Sequence, residues 1–130
     1  MLIFLARHAH SEPGEPDELR SLSSRGREEA RALAERLTGH PTPPELVLSS
    51  PLLRALETAE AIGEATSAEL RVDERLAPGT TTEDLLEAVR ETTGPVAAVC
   101  HQPDCSEIAA ALGAGDIPFS PAAVREFVLE

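Results

Sequence analysis

Lysine, tryptophan, tyrosine and asparagine are missing from this 130-residue chain, and three phenylalanines supply its whole aromatic content of 2%. Without lysine there can be no P-loop lysine and no Schiff-base chemistry; every one of the eleven basic residues is arginine. Without aromatic platforms, a stacking surface for single-stranded nucleic acid is hard to build. Basic charge is scarce as well: the formal net charge is −12 and the isoelectric point is near 4.7. That balance disfavours binding to nucleic acid or to an anionic membrane surface. Two cysteines, Cys100 and Cys105, make no disulfide framework and fit a reducing cytoplasm. Long apolar runs are lacking too. The first one, Leu2-Ile3-Phe4-Leu5-Ala6, is too short for a signal-peptide core or a membrane span.

What the chain does hold is an aliphatic core for one domain over residues 1–130: 42% of its residues are hydrophobic and 26% charged, an ordinary globular balance. Apolar runs alternate with helical patterns, which predicts an α/β fold, a three-layer α/β/α sandwich around a mostly parallel sheet. Strands are expected at Leu2–Ala6, Glu45–Leu48, Leu70–Val72, Pro95–Cys100 and Ala123–Leu129. Helices are expected over Arg25–Leu37, after Pro51, over Thr82–Arg90 and over Pro103–Leu112, the last closed by Gly113. A loop runs from about Ser11 to Leu19. Ser50 is the expected N-cap of the second helix, with Pro51 at its first position and Leu52, Leu56, Ala59 and Gly63 on one face, Ala55 and Ile62 beside them.

Three strand ends carry unusual polar residues: Arg7-His8 after the first, Ser49-Ser50-Pro51 with Arg54 after the second, and His101 after the Pro95–Cys100 strand. Ligands of open α/β sheets sit beyond the carboxyl ends of the strands, so these three ends can converge on one pocket. Such a pocket would attract an anion within an otherwise acidic protein. Arg54 lies off the apolar face and in a first helical turn, where the helix dipole disfavours a cation unless an anion binds there. The alternative is a solvated surface arginine. His8 and His101 are the chemical candidates: a neutral imidazole nitrogen can attack phosphorus and form a phosphohistidine, while guanidinium groups spread the charge of the transferring group. A histidine at a strand end can equally be structural. Cys100, His101, Cys105, His8 and His10 are all possible zinc ligands by residue type. Adjacent Cys100 and His101 should face opposite ways, however, so neither metal nor cofactor is expected.

Four stretches then match a known pattern in order. They are Leu2-Ile3-Phe4-Leu5-Ala6-Arg7-His8-Ala9; Arg20-Ser21-Leu22-Ser23-Ser24-Arg25-Gly26; Ser49-Ser50-Pro51-Leu52-Leu53-Arg54-Ala55-Leu56-Glu57-Thr58-Ala59; and Cys100-His101-Gln102-Pro103. With these the chain resembles the histidine phosphatase superfamily, whose fold is shared with phosphoglycerate mutases, and most closely its small SixA-type branch of phosphohistidine phosphatases. The resemblance implies that His8 is the nucleophile and that Arg7, Arg54 and His101 clamp the phosphoryl group. Arg20 stands where SixA-type chains also have arginine. It either reaches the phosphate rim or merely offsets Glu15, Asp17 and Glu18. His10 and Ser11 either line the entrance or belong to a solvated loop.

Two departures stand out. The segment Arg75-Leu76-Ala77-Pro78-Gly79 lacks the carboxylate that mutases carry after a leucine, leaving Glu74 as the nearest acid and the proton donor unassigned. The stretch between the Arg54 helix and the Val96 strand is also short, which implies an open site. Together these suit a phosphorylated protein, perhaps a histidine phosphotransfer protein, better than an enclosed small ester. The expected activity is therefore metal-independent phosphohistidine-protein phosphatase. The rivals are a phosphatase of small phosphomonoesters, such as a sugar phosphate or nucleotide-derived ester, and a non-catalytic module binding a phosphorylated ligand.

Overall fold

The computed structural model describes residues 1–130. Five strands form one sheet: β1 (Leu2–Arg7), β2 (Leu46–Ser49), β3 (Glu69–Val72), β4 (Val96–Cys100) and β5 (Val124–Val128). Their spatial order is β3-β2-β4-β1-β5; the first four run parallel, and β5 closes one edge antiparallel to β1. Four helices, α1 (Ser24–Thr38), α2 (Leu53–Thr66), α3 (Thr82–Arg90) and α4 (Asp104–Ala111), cover the two faces. The expected layered α/β architecture with a mostly parallel sheet is thus what the chain adopts. No helix is long and apolar enough to cross a membrane.

The core divides by strand alternation, because successive side chains on a strand point to opposite faces. Phe4 and Ala6 of β1, Val47 of β2 and Ala97 and Val99 of β4 pack against Leu33 and Leu37 of α1 and Ala55, Ala59 and Ile62 of α2. Ile3 and Leu5, Leu46 and Leu48, and Val96, Ala98 and Cys100 face the other way, onto Leu85 and Val89 of α3 and Cys105 and Ile108 of α4. The two helix layers follow from a period of two on the central strands.

Element ends moved slightly and for local reasons. The hydroxyl oxygen of Ser23 accepts from the Gly26 amide at 3.0 Å, which starts α1 at Ser24. A capping box between Thr81 and Asp84 opens α3. Short 3-10 turns form at Asp17–Leu19, within the expected loop, and at Glu74–Leu76.

Helix α2 departs further from expectation. It starts at Leu53, with Leu52 as N-cap, while the Ser50 hydroxyl accepts from the Leu52 amide just ahead of the helix. Its buried stripe is Arg54, Ala55, Thr58, Ala59 and Ile62, so the face turns from Leu52, Leu56 and Gly63 towards Ala55 and Ile62, with Ala59 common to both. The small residues Ala55 and Ala59 let the helix approach the sheet closely, and the bulkier Leu52 and Leu56 remain half-buried. Arg54 is consequently not off the packed face: it lies on it and is only 8% exposed.

Candidate functional site

The carboxyl ends of β1, β2 and β4 converge as their parallel order requires. Arg7 is opposite Cys100 in the β1–β4 register, so the next residue of each strand, His8 and His101, leave the sheet side by side. Their ring centroids are 5.1 Å apart. A cavity of about 220 Å³ at this edge is lined by Arg7, His8, His10, Ser11, Arg20, Arg54 and Pro121, without one hydrophobic side chain. A larger groove of about 630 Å³ lies between α1 and α2, among residues such as Ala30, Ala61, Glu57 and Glu60. That groove contains none of the clustered histidines, so the chemistry assigns the smaller cavity.

His8 is held in a defined tautomer. Its Nδ1 lies 2.7 Å from the Ala9 carbonyl oxygen, which can only accept, so Nδ1 carries the proton and Nε2 keeps its lone pair. Burial, and then the charges of Arg54, Arg7 and Arg20, push the His8 pKa down to about 4. The ring is therefore neutral at pH 7. The backbone around it is pinned: the His8 amide donates to the Cys100 carbonyl at 3.1 Å, and the Ala9 amide donates to Thr58 Oγ1 at 3.0 Å.

His101 is also driven neutral, to a pKa of about 3, first by burial and then by its neighbours His8 and Arg54. Its Nε2 lies 2.8 Å from the Ser50 hydroxyl oxygen, which already accepts from the Leu52 amide at 3.2 Å. The hydroxyl hydrogen has no other acceptor. Given to Nε2, it leaves the proton of the neutral ring on Nδ1, an atom buried with no partner. Arg7 shows the same pattern. Its Nη1 donates to the Phe119 carbonyl at 2.9 Å, but its buried Nε has no acceptor. Buried donors without partners are rare and call for an explanation. Here one belongs to Arg7 on the cavity wall and the other to His101, whose ring lies beside that of His8, so both stand near a cationic cavity suited to an oxyanion.

Arg54 and Arg20 close the cavity through one carboxylate. Arg54 Nη1 and Nη2 donate to the carbonyl and to Oδ2 of Asp17, at 2.9 and 3.2 Å. Arg20 Nη1 donates to Asp17 Oδ1 at 3.0 Å, while its Nε and Nη2 hold the Glu12 carbonyl and Ser11 Oγ. Both readings of Arg20 therefore apply at once: it lines the cavity, and among Glu15, Asp17 and Glu18 it pairs with Asp17. His10 and Ser11 line the cavity rather than a solvated loop. The His10 carbonyl accepts from the Ser23 amide, and Ser11 is buried and bridges Leu22.

Five contributors were missed in the sequence: Asp17, the Ser50 contact to His101, Thr58 beneath Ala9, the Phe119 carbonyl and Pro121. Asp17 had only the signal of an acidic residue three positions before Arg20. The others depend on tertiary proximity that spacing does not encode. The possible zinc ligands do not gather. Cys100 and Cys105 pack with their Sγ atoms 3.3 Å apart in the α3/α4 core, the neighbouring Cys100 thiol and then burial raising the Cys105 pKa. No three His, Cys, Asp or Glu side chains gather in a way that could hold a metal ion. Glu74 is exposed in its 3-10 turn and lines no part of the cavity.

Comparison with known proteins points the same way as this geometry. The sequence profile of the histidine phosphatase superfamily (branch 1) matches residues 3–93. The phosphohistidine phosphatase SixA of Escherichia coli (strain K12) is 30% identical over 141 aligned residues, covering 100% of this chain and 86% of that protein. The structure of a protein histidine phosphatase SixA complexed with tungstate superposes with a TM-score of 0.88 at 27% identity, over 100% of this chain and 89% of that one. A putative SixA from Agrobacterium tumefaciens shares the fold, with a TM-score of 0.83 at 24% identity over 96% and 88% of the two chains.

Proposed function

This chain belongs to the histidine phosphatase superfamily and is a phosphatase, and on that footing we propose that it is a metal-independent, cytoplasmic phosphohistidine-protein phosphatase built as a single domain over residues 1–130. One observation carries the mechanism. His8 is neutral, its Nδ1 proton is fixed on the Ala9 carbonyl, and its Nε2 lone pair stands in a cavity walled by Arg7, Arg20 and Arg54. Nε2 attacks phosphorus, and the leaving group departs with the bonding electron pair. The guanidinium groups of Arg7 and Arg54, with the unpaired Nδ1–H of His101, take up the charge on the three phosphoryl oxygens. Water then attacks the phosphohistidine, the P–Nε2 pair returns to His8, and inorganic phosphate leaves.

A phosphorylated histidine as substrate is supported by two features. No carboxylate stands in the segment where mutases carry their acid, and an imidazole leaves more readily than an alkoxide. The E. coli relative at 30% identity is itself a phosphohistidine phosphatase. The test pairs p-nitrophenyl phosphate with a phosphohistidine-bearing protein, both assayed in excess EDTA. Turnover of both, with the phosphoprotein preferred in kcat/KM, is the expected result. Loss of all activity on chelation would overturn the metal-independent mechanism. A preference for sugar phosphates or nucleotide-derived esters would replace the protein substrate with a small phosphomonoester.

A further inference from the structure

Asp17 joins two residues of the cavity wall, Arg20 and Arg54. Its two carboxylate oxygens each receive one guanidinium, Oδ1 from Arg20 and Oδ2 from Arg54, so each keeps a lone pair. The side chain is 60% exposed. It is nonetheless tied to the cavity wall, because its own carbonyl also accepts from the buried Arg54. We propose that Asp17 selects the leaving group: its carboxylate accepts a hydrogen bond from the far-nitrogen N–H of a phosphorylated imidazole, and so favours phosphohistidine over phosphate esters. The inference rests on the reaction proposed above and names the residue that sets its substrate class.

The chemistry of the bond explains the choice. When the P–N bond of a phosphoimidazole breaks, the electron pair goes to the ring nitrogen. If the far nitrogen carries a proton, the ring leaves as neutral imidazole and needs no further proton. If it does not, the ring must leave as an imidazolate, a much poorer leaving group. An acceptor for the far N–H therefore keeps the ring in the protonated form that can leave as neutral imidazole, without donating a proton itself. An alkyl ester has the opposite need, a proton delivered to its oxygen. Asp17 cannot supply one: hydrogen bonds from Arg20 and then Arg54 hold its carboxyl below the usual range, so it is ionised at neutral pH. Its negative charge also disfavours a second anionic group on a substrate, such as the carboxylate of a phosphoglycerate.

The protein already uses the same device on its own histidine. The Ala9 carbonyl accepts the far N–H of His8, so phosphorylated His8 also leaves phosphorus as neutral imidazole. Ala9 on the enzyme side and Asp17 on the solvent side would serve the two imidazoles between which the phosphoryl group passes.

The experiment compares Asp17→Asn with the wild-type protein on phosphoimidazole and on p-nitrophenyl phosphate, whose leaving group needs no proton and offers no N–H. The expected result is a drop of about tenfold or more in the ratio of the two kcat/KM values, the size of one charge-assisted hydrogen bond. Asp17→Glu, which keeps the charge, should recover part of that ratio. Equal losses on both substrates would show that Asp17 only holds Arg54, and unchanged ratios would show no part in selection; either overturns the proposal. Wild-type protein that hydrolyses p-nitrophenyl phosphate but not phosphoimidazole would overturn the substrate reading itself, and the wild-type arm alone tells that failure apart.

Discussion

His8 and His101 leave two neighbouring parallel strands at the same register step, are both buried, and are both held neutral, yet their hydrogen bonds differ. His8 has its Nδ1 paired with the Ala9 carbonyl and a lone pair left on Nε2. His101 has its Nε2 paired with Ser50 and an unpaired Nδ1. The first arrangement leaves an electron pair to give; the second leaves a proton to share. In the proposed mechanism two copies of one side chain thus serve as nucleophile and electrophile through a single partner each, a backbone carbonyl in one case and a capping-type serine in the other. The surrounding guanidiniums serve both roles, by keeping each ring neutral and by attracting the phosphoryl group.

The sharpest way to break this comparison is to delete each ring in turn. His8→Ala removes the only group that forms the covalent intermediate, so kcat should fall by roughly a thousandfold or more. His101→Ala removes one donor to the transferring group, for which a loss of about a hundredfold is expected. Rapid-quench measurement of the phosphorylated enzyme distinguishes them, since the His101 variant should still accumulate label and the His8 variant should not. Equal residual activities without label in either would mean that the two rings act as one unit.

Gly26→Ala tests what holds the His8 side alone. A Cβ at Gly26 would lie 1.8 Å from the His10 carbonyl oxygen, a backbone atom that cannot rotate away. Within a helix, glycine to alanine normally stabilises by about 1 kcal/mol. Here the clash should reverse the sign and cost roughly 2 kcal/mol or more. A fall in Tm accompanied by lost turnover is expected, because the loop that displaces lies two residues beyond His8. A raised Tm would show that α1 does not press on that loop. The same contact explains why a glycine follows Leu22-Ser23 at this spacing.

Much of this arrangement is legible in the sequence. Apolar runs alternating with helical patterns imply the layers, and the strand ends point to Arg7, His8, Arg54 and His101 as neighbours. What escaped was whatever depends on a second element. The α2 stripe was misjudged because leucines outweigh alanines in a hydrophobic pattern, whereas close helix–sheet packing selects the smaller residue. Ser50 was read as a cap because its local sequence suits one, while His101 competes for the same hydroxyl. Asp17 is legible as a partner of nearby Arg20, but not of Arg54, which is distant in sequence and reaches it only in the fold.

Acid titration offers the gentlest test of the two rings. Free histidine in an unfolded chain titrates near 6.5, whereas His8 and His101 in the fold are pushed down to about 4 and about 3. Below pH 6.5 the unfolded chain takes up protons that the folded one refuses, so stability is full above that pH and declines as pH falls towards the folded values. The slope is about 1.4 kcal/mol per pH unit for each such histidine. The carboxylates held low by arginine, Asp17, Asp73 and Glu91, lose their partners' help only below their ordinary range, so the interval from 6.5 to about 4.5 belongs to the histidines. Denaturant melts over that interval should show a steep decline in the wild-type protein, and His8→Asn or His101→Asn should each flatten it. Tungstate, by supplying the negative charge that the cavity lacks, should make protonation of His101 less costly and flatten the same slope without any substitution. A slope insensitive to the oxyanion would mean that the buried rings are neutral for reasons of packing alone, and that the arginines around them contribute little to their titration.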